Sequence, residues 1–152
     1  MDSIKKRHLA QVNIAKMLAP IDSPIMADFV AKLDEINTLA ESSEGFVWRL
    51  KGEDNNATAI KVFDDDMLII NLSVWESVED LKNFVYKTGH SPVMRRRAEW
   101  FEKMPAMFMA LWWIEANHTP TPAEAKEKLE FLNKNGESEL VFTFKNIYLP
   151  PA

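Results

Sequence analysis

Residues 67–89, MLIINLSVWESVEDLKNFVYKTG, contain the clearest strand of the chain and a helix that follows it directly. Alternation over 67–75 predicts a strand whose faces carry different side chains. One face has Leu68, Ile70, Leu72 and Val74, and the other has Met67, Ile69, Asn71, Ser73 and Trp75. Ser77 and Asp80 then stand at capping-box spacing before an apolar stripe, which predicts a helix over 77–89.

The residues before this unit predict a strand, a helix and a second strand. Over 10–17, Ala10, Val12 and Ile14 alternate with the set Leu9, Gln11 and Asn13, which is typical of a strand. A helix is predicted over 22–45, from the Ser-Pro start to Gly45. A short strand is predicted over 46–50, with Phe46, Trp48 and Leu50 on one face. A polar loop follows, with a short extended piece around 60–63.

The residues after this unit predict four more elements: a helix over 91–103, a strand over 107–116, a helix over 121–136 and a strand over 140–147. The core order is therefore βαββαβ, the ferredoxin-like pattern of the α+β class. We expect a four-stranded antiparallel sheet with its helices on one face, plus the C-terminal helix and strand. The length suits a single domain over 1–152.

Composition excludes several classes of protein and site. The 152 residues include no cysteine, which removes disulfides, thiolate metal sites and cysteine nucleophiles. The net charge of −5 disfavours nucleic acid as a partner. No run approaches the roughly 20 apolar residues of a membrane span, and no signal peptide is evident, so we expect a cytoplasmic protein without a membrane partner.

The sheet face without helices predicts a partner. It is expected to carry Asn13, Asn71 and Trp75, and one of the consecutive residues Trp112 and Trp113 must also point to it. An uncovered apolar patch favours a homodimer, sheet against sheet. Such a dimer encloses either a pocket for a small hydrophobic ligand, with Asn13, Asn71, Trp75 and Trp112 in its wall, or a plain dimer core.

The angular position of each residue around the predicted helix 91–103 indicates which way its three consecutive arginines point. Met94, Ala98 and Phe101 form the core stripe, and Arg95 faces solvent. Arg96 falls beside Trp100, where stacking is possible. Arg97 borders the core stripe and is the arginine predicted to reach the pocket rim.

His90 is the candidate catalytic residue. It lies just before the N-terminus of the predicted helix 91–103, where the helix dipole favours a neutral imidazole able to act as acid, base or haem ligand. A surface histidine is the alternative. His8 and His118 are interpreted as solvated, the three histidines form no metal motif, and the acidic run 64–66 is interpreted as a solvated loop, so no metal site is predicted.

Three segments resemble the domain-of-unknown-function family 3291, with similarity from about Leu9 to Pro151: VWESVEDLKNFVYKTGHSPVMRRRAEWFEK, ALWWIEANHTPTPAEAKEKLEFL and FTFKNIYLPP. That resemblance implies the dimeric α+β barrel superfamily, beside antibiotic-biosynthesis monooxygenases and haem-degrading enzymes. The haem-degrading members pair a helix histidine with an asparagine and a tryptophan. Residues of those types here are His90, Asn13 or Asn71, and Trp75 or Trp112.

Three hypotheses follow from the residues and the resemblance. The first is a monooxygenase-like enzyme for a flat apolar or aromatic substrate, with His90 as acid, base or ligand. The second is a non-catalytic dimeric binding protein for haem or another hydrophobic ligand, and the third is a structural dimer without ligand. The sequence does not identify a cofactor.

Overall fold

The computed structural model describes residues 6–51, 67–89, 95–102 and 109–150. The strands are β1 (Arg7–Met17), β2 (Phe46–Arg49), β3 (Leu68–Trp75), β4 (Phe101–Glu102) and β5 (Met109–Glu115). The α-helices are α1 (Ala27–Glu41), α2 (Val78–Gly89) and α3 (Pro122–Asn135), and short 3-10 helices cover Pro24–Met26 and Arg97–Glu99.

The strands form one antiparallel sheet around β1. β1 pairs with β3 on one side, and β2 continues the sheet beyond β3. On its other side β1 pairs with β5 along most of its length and with the two-residue β4 at its C-terminal end. The order β5-β1-β3-β2 of the four longer strands is ferredoxin-like. The predicted α+β fold class is confirmed, with β4 as a fifth strand.

Local capping signals are confirmed for two helices. The backbone N–H of Asp80 donates to Oγ of Ser77 at 3.1 Å at the start of α2. The backbone N–H of Glu124 donates to Oγ1 of Thr121 at 3.1 Å at the start of α3. Ser23 does not cap α1, because its hydroxyl donates to the carbonyl of Pro20 instead. The helix predicted over 22–45 accordingly begins later, after a 3-10 turn.

Two predicted elements differ from the structure. In the helix predicted over 91–103, residues 91–94 and 103 lie outside the described residues, while 97–99 form a 3-10 helix and 101–102 pair with β1 as β4. The strand predicted over 140–147 reduces to one bridge, in which Phe142 exchanges backbone hydrogen bonds with Leu111. In both places backbone pairing with a strand of the sheet is found where the local sequence pattern predicted a longer helix or strand. The piece around 60–63 lies outside the described residues.

A bulge in β2 corrects the predicted face of that strand. Phe46 pairs with Trp75 and Trp48 with Val74, so the register shifts by one residue between them. A one-residue shift sends side chains to opposite faces of the sheet. Phe46 and Trp48 therefore pack in different clusters rather than on one face as predicted.

Helices cover both faces of the sheet. The face that carries Leu9, Gln11 and Asn13 packs against α1 and α2, and we name it the α1/α2 face. The opposite face, here the α3 face, packs against α3 through Ala125, Leu129 and Leu132. The face predicted to lack helices, which carries Asn13, Asn71 and Trp75, is the one that α1 and α2 cover, and α3 covers the other face. The prediction that helices cover one face was therefore wrong. The inference of a homodimer from an uncovered face loses its premise for the described residues.

His8 is buried rather than solvated as predicted. It lies on the α3 face opposite Ile114, and within the described part of the chain its buried Nε2 has no hydrogen-bond partner. Burial lowers the pKa of His8 below its ordinary value, and Lys6 adds to that effect while Glu76 opposes it.

We expect this histidine to make stability depend on pH. Its folded-state pKa is lowered, so its contribution is complete above about pH 6.5 and is lost as the pH falls through the folded-state pKa. The urea midpoint should therefore be lower at about pH 5.5 than at about pH 7, and His8→Leu should flatten this difference. Ile114→Val is the control, expected to cost about 1 kcal/mol equally at both pH values. A wild-type pH dependence that persists in His8→Leu would contradict the assignment.

Candidate functional site between α1 and the sheet

A band of polar side chains crosses the α1/α2 face between two apolar clusters. One cluster is centred on Trp75 and Leu9, and the other on Met17 and Trp100. The β1–β3 register between them sets Gln11 opposite Ser73 and Asn13 opposite Asn71. Arg49 of β2 pairs with Ser73 from the other side. We name the five residues the polar belt: Gln11, Asn13, Arg49, Asn71 and Ser73.

Side-chain hydrogen bonds join the belt to the core. The indole N–H of Trp75 donates to Oγ of Ser73 at 2.9 Å. Nε2 of Gln11 donates to the same oxygen at 2.8 Å and to Oδ1 of Asn71 at 2.6 Å. The hydrogen-bond chain Trp75–Ser73–Gln11–Asn71 therefore fixes which donor and acceptor atoms of these side chains are already used.

This hydrogen-bond chain leaves hydrogens on Ser73 and Asn71 that can be donated to a ligand. Ser73 Oγ accepts two hydrogen bonds, so its own hydrogen is left to donate. Oδ1 of Asn71 is occupied by Gln11, so the two hydrogens of its Nδ2 are left. Gln11 and Ser73 are buried, Asn13 is half-buried and Asn71 is exposed, so the belt opens to solvent at Asn71. The belt thus presents donors towards its open end.

Helix α1 adds a polar residue above the belt. Leu33, Asn37 and Ala40 share one helix face by their spacing. Leu33 packs in the Met17 cluster and Ala40 in the Trp75 cluster, which places the buried Asn37 between the two, at the level of the belt. Asn37 is not among the site residues predicted from the sequence. A polar residue within the apolar stripe of α1 was the available signal.

Arg49 was also missed. It is 6% exposed, and its Nε lies 3.6 Å from a carboxylate oxygen of Glu41 at the end of α1. The same carboxylate lies 3.2 Å from Nζ of Lys51. The hydrogen bond from Lys51 is the largest influence that lowers the pKa of Glu41. The bulge in β2 turns Arg49 onto this face, which no sequence pattern indicated.

The structure separates the predicted tryptophans. Trp75 is fully buried on the α1/α2 face, stacked on Phe84 at 5.0 Å. Trp112 lies on the α3 face, where its indole N–H donates to Glu124 at 2.9 Å. Trp113 is the one of the pair that shares a face with Asn13 and Asn71, and its indole N–H donates to the carbonyl of Tyr148. Trp112 is therefore not beside the other predicted pocket residues.

The arginine run is also arranged differently from the prediction. Arg97 is exposed in the 3-10 helix, and Ala98 is exposed rather than in the core. Arg96 stacks on Trp100 at 4.9 Å, as its helix position suggested, and forms ion pairs with Asp28 and Glu99 at 2.9 Å each. The angles assumed an α-helix, and the 3-10 geometry at 97–99 changes them.

His90, the predicted catalytic residue, lies outside the described residues. His118 is partly exposed, and its Nε2 lies 2.7 Å from the carboxylate of Glu124, which also accepts the Trp112 indole N–H. Within the described ranges, no three histidine, aspartate or glutamate side chains are grouped to hold a metal ion. No helix of the described chain is both long and apolar enough to cross a membrane.

A shallow hollow of about 170 Å³ lies away from the belt. It is formed where the end of α1 meets α2, and its lining consists of Ser43, Glu44, Asp80, Asn83, Phe84, Tyr86 and Lys87. We place the candidate site at the belt rather than here, because the belt carries a connected set of buried polar groups and the hollow is a surface depression.

Comparison with known proteins gives one family and several similar structures. The family model described as "Domain of unknown function (DUF3291)" matches residues 8–152. SnoaB, a cofactor-independent oxygenase from Streptomyces nogalater, is 16% identical with a TM-score of 0.47, over 74% of this chain and 95% of that one. NE2512, a protein of unknown function from Nitrosomonas europaea, is 13% identical with a TM-score of 0.47, over 78% and 98%.

A further similar structure is an uncharacterized NIPSNAP-like domain protein from Burkholderia xenovorans. It is 11% identical with a TM-score of 0.44, over 78% of this chain and 94% of that one. No curated protein matches the sequence. At these identities and TM-scores the structural likenesses carry no functional conclusion, so function is taken from the residues.

Proposed function

We propose that this chain, which belongs to the DUF3291 family of domains of unknown function, is a monooxygenase-like small-molecule protein. The proposal is argued from its residues. It binds a flat, mainly apolar or aromatic molecule that carries a hydrogen-bond acceptor. The site is the polar belt, entered at Asn71. The observation that supports this most directly is the hydrogen-bond chain from Trp75 to Asn71, which leaves donors at the open end of the belt.

The arrangement suits a ligand with one polar edge. Small-molecule sites are mainly apolar, with a few polar groups that fix orientation. Here the apolar clusters around Trp75 and Met17 flank the belt on both sides, and Asn13 and Asn71 stand side by side between them. Residues directly opposite in an antiparallel pair have Cβ atoms about 5 Å apart, so two amides can bind one substituent.

Four predictions from the sequence belong to this proposal. If the protein is an enzyme, His90 is the predicted acid or base of the reaction. Binding without catalysis is the alternative. Arg97 is exposed on the 3-10 helix, and its place at the pocket rim is a prediction from the sequence. A homodimer is the third of these predictions. A cytoplasmic location is likewise a prediction.

We expect 2-acetonaphthone, a flat aromatic ketone, to shift the side-chain amide signals of Asn71 and Asn13 and the indole signal of Trp75 in ¹H–¹⁵N spectra. Its carbonyl can accept the hydrogens that the belt leaves available. The indole N–H of Trp112 is an internal control, because it lies on the α3 face. 2-Ethylnaphthalene, which has no acceptor, should bind about tenfold more weakly.

Two variants locate the binding. Gln11→Leu removes the group that holds Asn71, so the ketone should bind about tenfold more weakly. Asn83→Leu changes the hollow at α2 and should leave binding unaltered. Shifts confined to Trp112, or a loss of binding in Asn83→Leu alone, would place the ligand elsewhere and reject the belt as the site.

A further inference from the structure

Asn37 is a buried amide on the face of α1 that packs over the belt. It is 9% exposed, and among the described residues its side-chain amide has no hydrogen-bond partner. Burying an amide is unfavourable unless its polar atoms are hydrogen-bonded, and the large majority of buried amides in folded proteins are bonded. The amide of Asn37 is therefore a group that a ligand can satisfy.

Two neighbours on α1 fix the position of Asn37 over the sheet. Leu33, one turn before it, packs with the Met17 cluster. Glu41, one turn after it, has a carboxylate oxygen 3.6 Å from Nε of Arg49 in the belt. Residues one turn apart lie on the same side of a helix, so the side chain of Asn37 points to the sheet between these two contacts, at the level of the belt.

The amide of Asn37 is accessible rather than sealed in the core. Some side-chain atoms of the described chain are fully enclosed and have no partner, but none of them belongs to Asn37. Its amide atoms therefore border space that a small molecule or water can enter. They offer an acceptor, Oδ1, beside a donor, Nδ2. The belt offers the remaining hydrogens of Ser73 and Asn71.

An acceptor and a donor side by side on one planar group favour a ligand with the complementary pair. Cyclic amides have this arrangement, because the ring holds the N–H and the carbonyl on the same edge. The N–H of such a ring can donate to Oδ1 of Asn37 while its carbonyl oxygen accepts from Nδ2. The carbonyl oxygen has two lone pairs, so it can also accept a hydrogen from the belt.

We propose that Asn37 determines the specificity of the site, and that the ligand is a planar aromatic cyclic amide held between Asn37 and the belt. Its ring N–H donates to Oδ1 of Asn37, and its carbonyl oxygen accepts from Nδ2 of Asn37 and from Ser73 or Asn71. This inference rests on the proposed function, because it names the ligand class for the same site.

The test compares 2-quinolone with coumarin by calorimetric titration. The two molecules have the same fused rings and the same carbonyl, and the ring N–H of 2-quinolone is replaced by a ring oxygen in coumarin. The wild-type protein should bind 2-quinolone about tenfold more tightly, because coumarin leaves Oδ1 of Asn37 without a donor and sets two acceptors against each other.

Three variants locate this preference. Asn37→Ala removes the acceptor and the donor together, so the preference for 2-quinolone should fall to about twofold or less. Asn37→Asp keeps an acceptor at the same place, so the preference should persist, and its loss would overturn the role of Oδ1. Asn83→Leu changes the hollow at α2 and should keep the wild-type preference. A preference lost in Asn83→Leu would place the cyclic amide in the hollow and overturn the inference.

Stability gives a second readout for Asn37→Ala. The urea midpoint should be unchanged or raised, because alanine favours the helix and the substitution breaks no hydrogen bond among the described residues. A lowered midpoint, or a variant that does not fold, would show that the amide serves the fold instead of a ligand and would overturn the inference.

The outcomes separate this inference from the proposed function. If 2-acetonaphthone binds at the belt and 2-quinolone has no advantage over coumarin, the cyclic-amide class is wrong and the site stands. If none of the three molecules binds, both proposals fail. A preference for 2-quinolone that survives in Asn37→Ala shows that another acceptor provides it and also overturns the inference.

Discussion

Gly45→Ala is expected to lower the free energy of unfolding by about 3 kcal/mol. Gly45 has φ of 81°, which an L side chain rarely adopts, and a Cβ there would lie 2.1 Å from Oδ2 and 2.5 Å from Cβ of Asp80. The same Asp80 carboxylate accepts the Ser77 hydroxyl at the start of α2. A methyl group at 45 must therefore displace the first turn of α2, because Asp80 is contacted near its backbone. Urea unfolding followed by tryptophan fluorescence measures the effect.

Gly136→Ala is the matched control for this substitution. Gly136 has nearly the same backbone angle, with φ of 79°, but a Cβ there would meet no atom within 4 Å. We expect only the strain of a backbone with positive φ and ψ of −176°, about 1–2 kcal/mol. Equal losses in the two variants would show that the contact with Asp80 contributes nothing, and that α2 is not held against the end of α1 in this way.

Trp75→Leu is expected to cost about 3–4 kcal/mol of unfolding free energy. The indole is 0% exposed, stacks on Phe84 and meets Phe46 edge to face at 5.5 Å. Leucine fills part of the volume and loses both ring contacts as well as the hydrogen bond to Ser73. Because Trp75 anchors the hydrogen-bond chain of the belt, ligand binding should weaken together with stability.

Two controls separate packing from hydrogen bonding at this position. Trp75→Phe keeps an aromatic ring but removes the indole N–H, so we expect roughly half of the loss. Tyr86→Leu changes an aromatic residue of α2 that is 70% exposed, and we expect a change within about 0.5 kcal/mol. If Trp75→Leu costs no more than Tyr86→Leu, Trp75 is not the core residue that its burial indicates.

The sequence predicted those features that short-range chemistry controls. The strand over 67–75 and the helix over 77–89 differ from β3 and α2 by one residue at their N-terminal ends. Ser77 and Thr121 cap their helices because the donor and acceptor lie three residues apart. Alternation in β1 correctly set Gln11 and Asn13 on one face, opposite Ala10 and Val12. These features need no knowledge of what packs above the sheet.

The candidate site was predicted only in part. Asn13 and Asn71 are adjacent as the two strands required, because alternation and antiparallel pairing place them on one face. Trp112 fell on the other face, since the parity of β5 relative to β1 is set by their register. Asn37 and Arg49 were not predicted. Asn37 lies within a helix stripe that is otherwise apolar, and the face of Arg49 depends on the bulge in β2.

The sequence alone thus determined the core order βαββαβ, the alternation of β1 and β3 and the caps of α2 and α3, because each depends on residues within a few positions of one another. The tertiary structure decided that α3 covers the second sheet face, that Phe142 adds only a bridge to β5, and that Arg49 and Glu41 meet beside the belt. These contacts join segments distant in the chain. Their free energy comes from burial and pairing that no local pattern specifies.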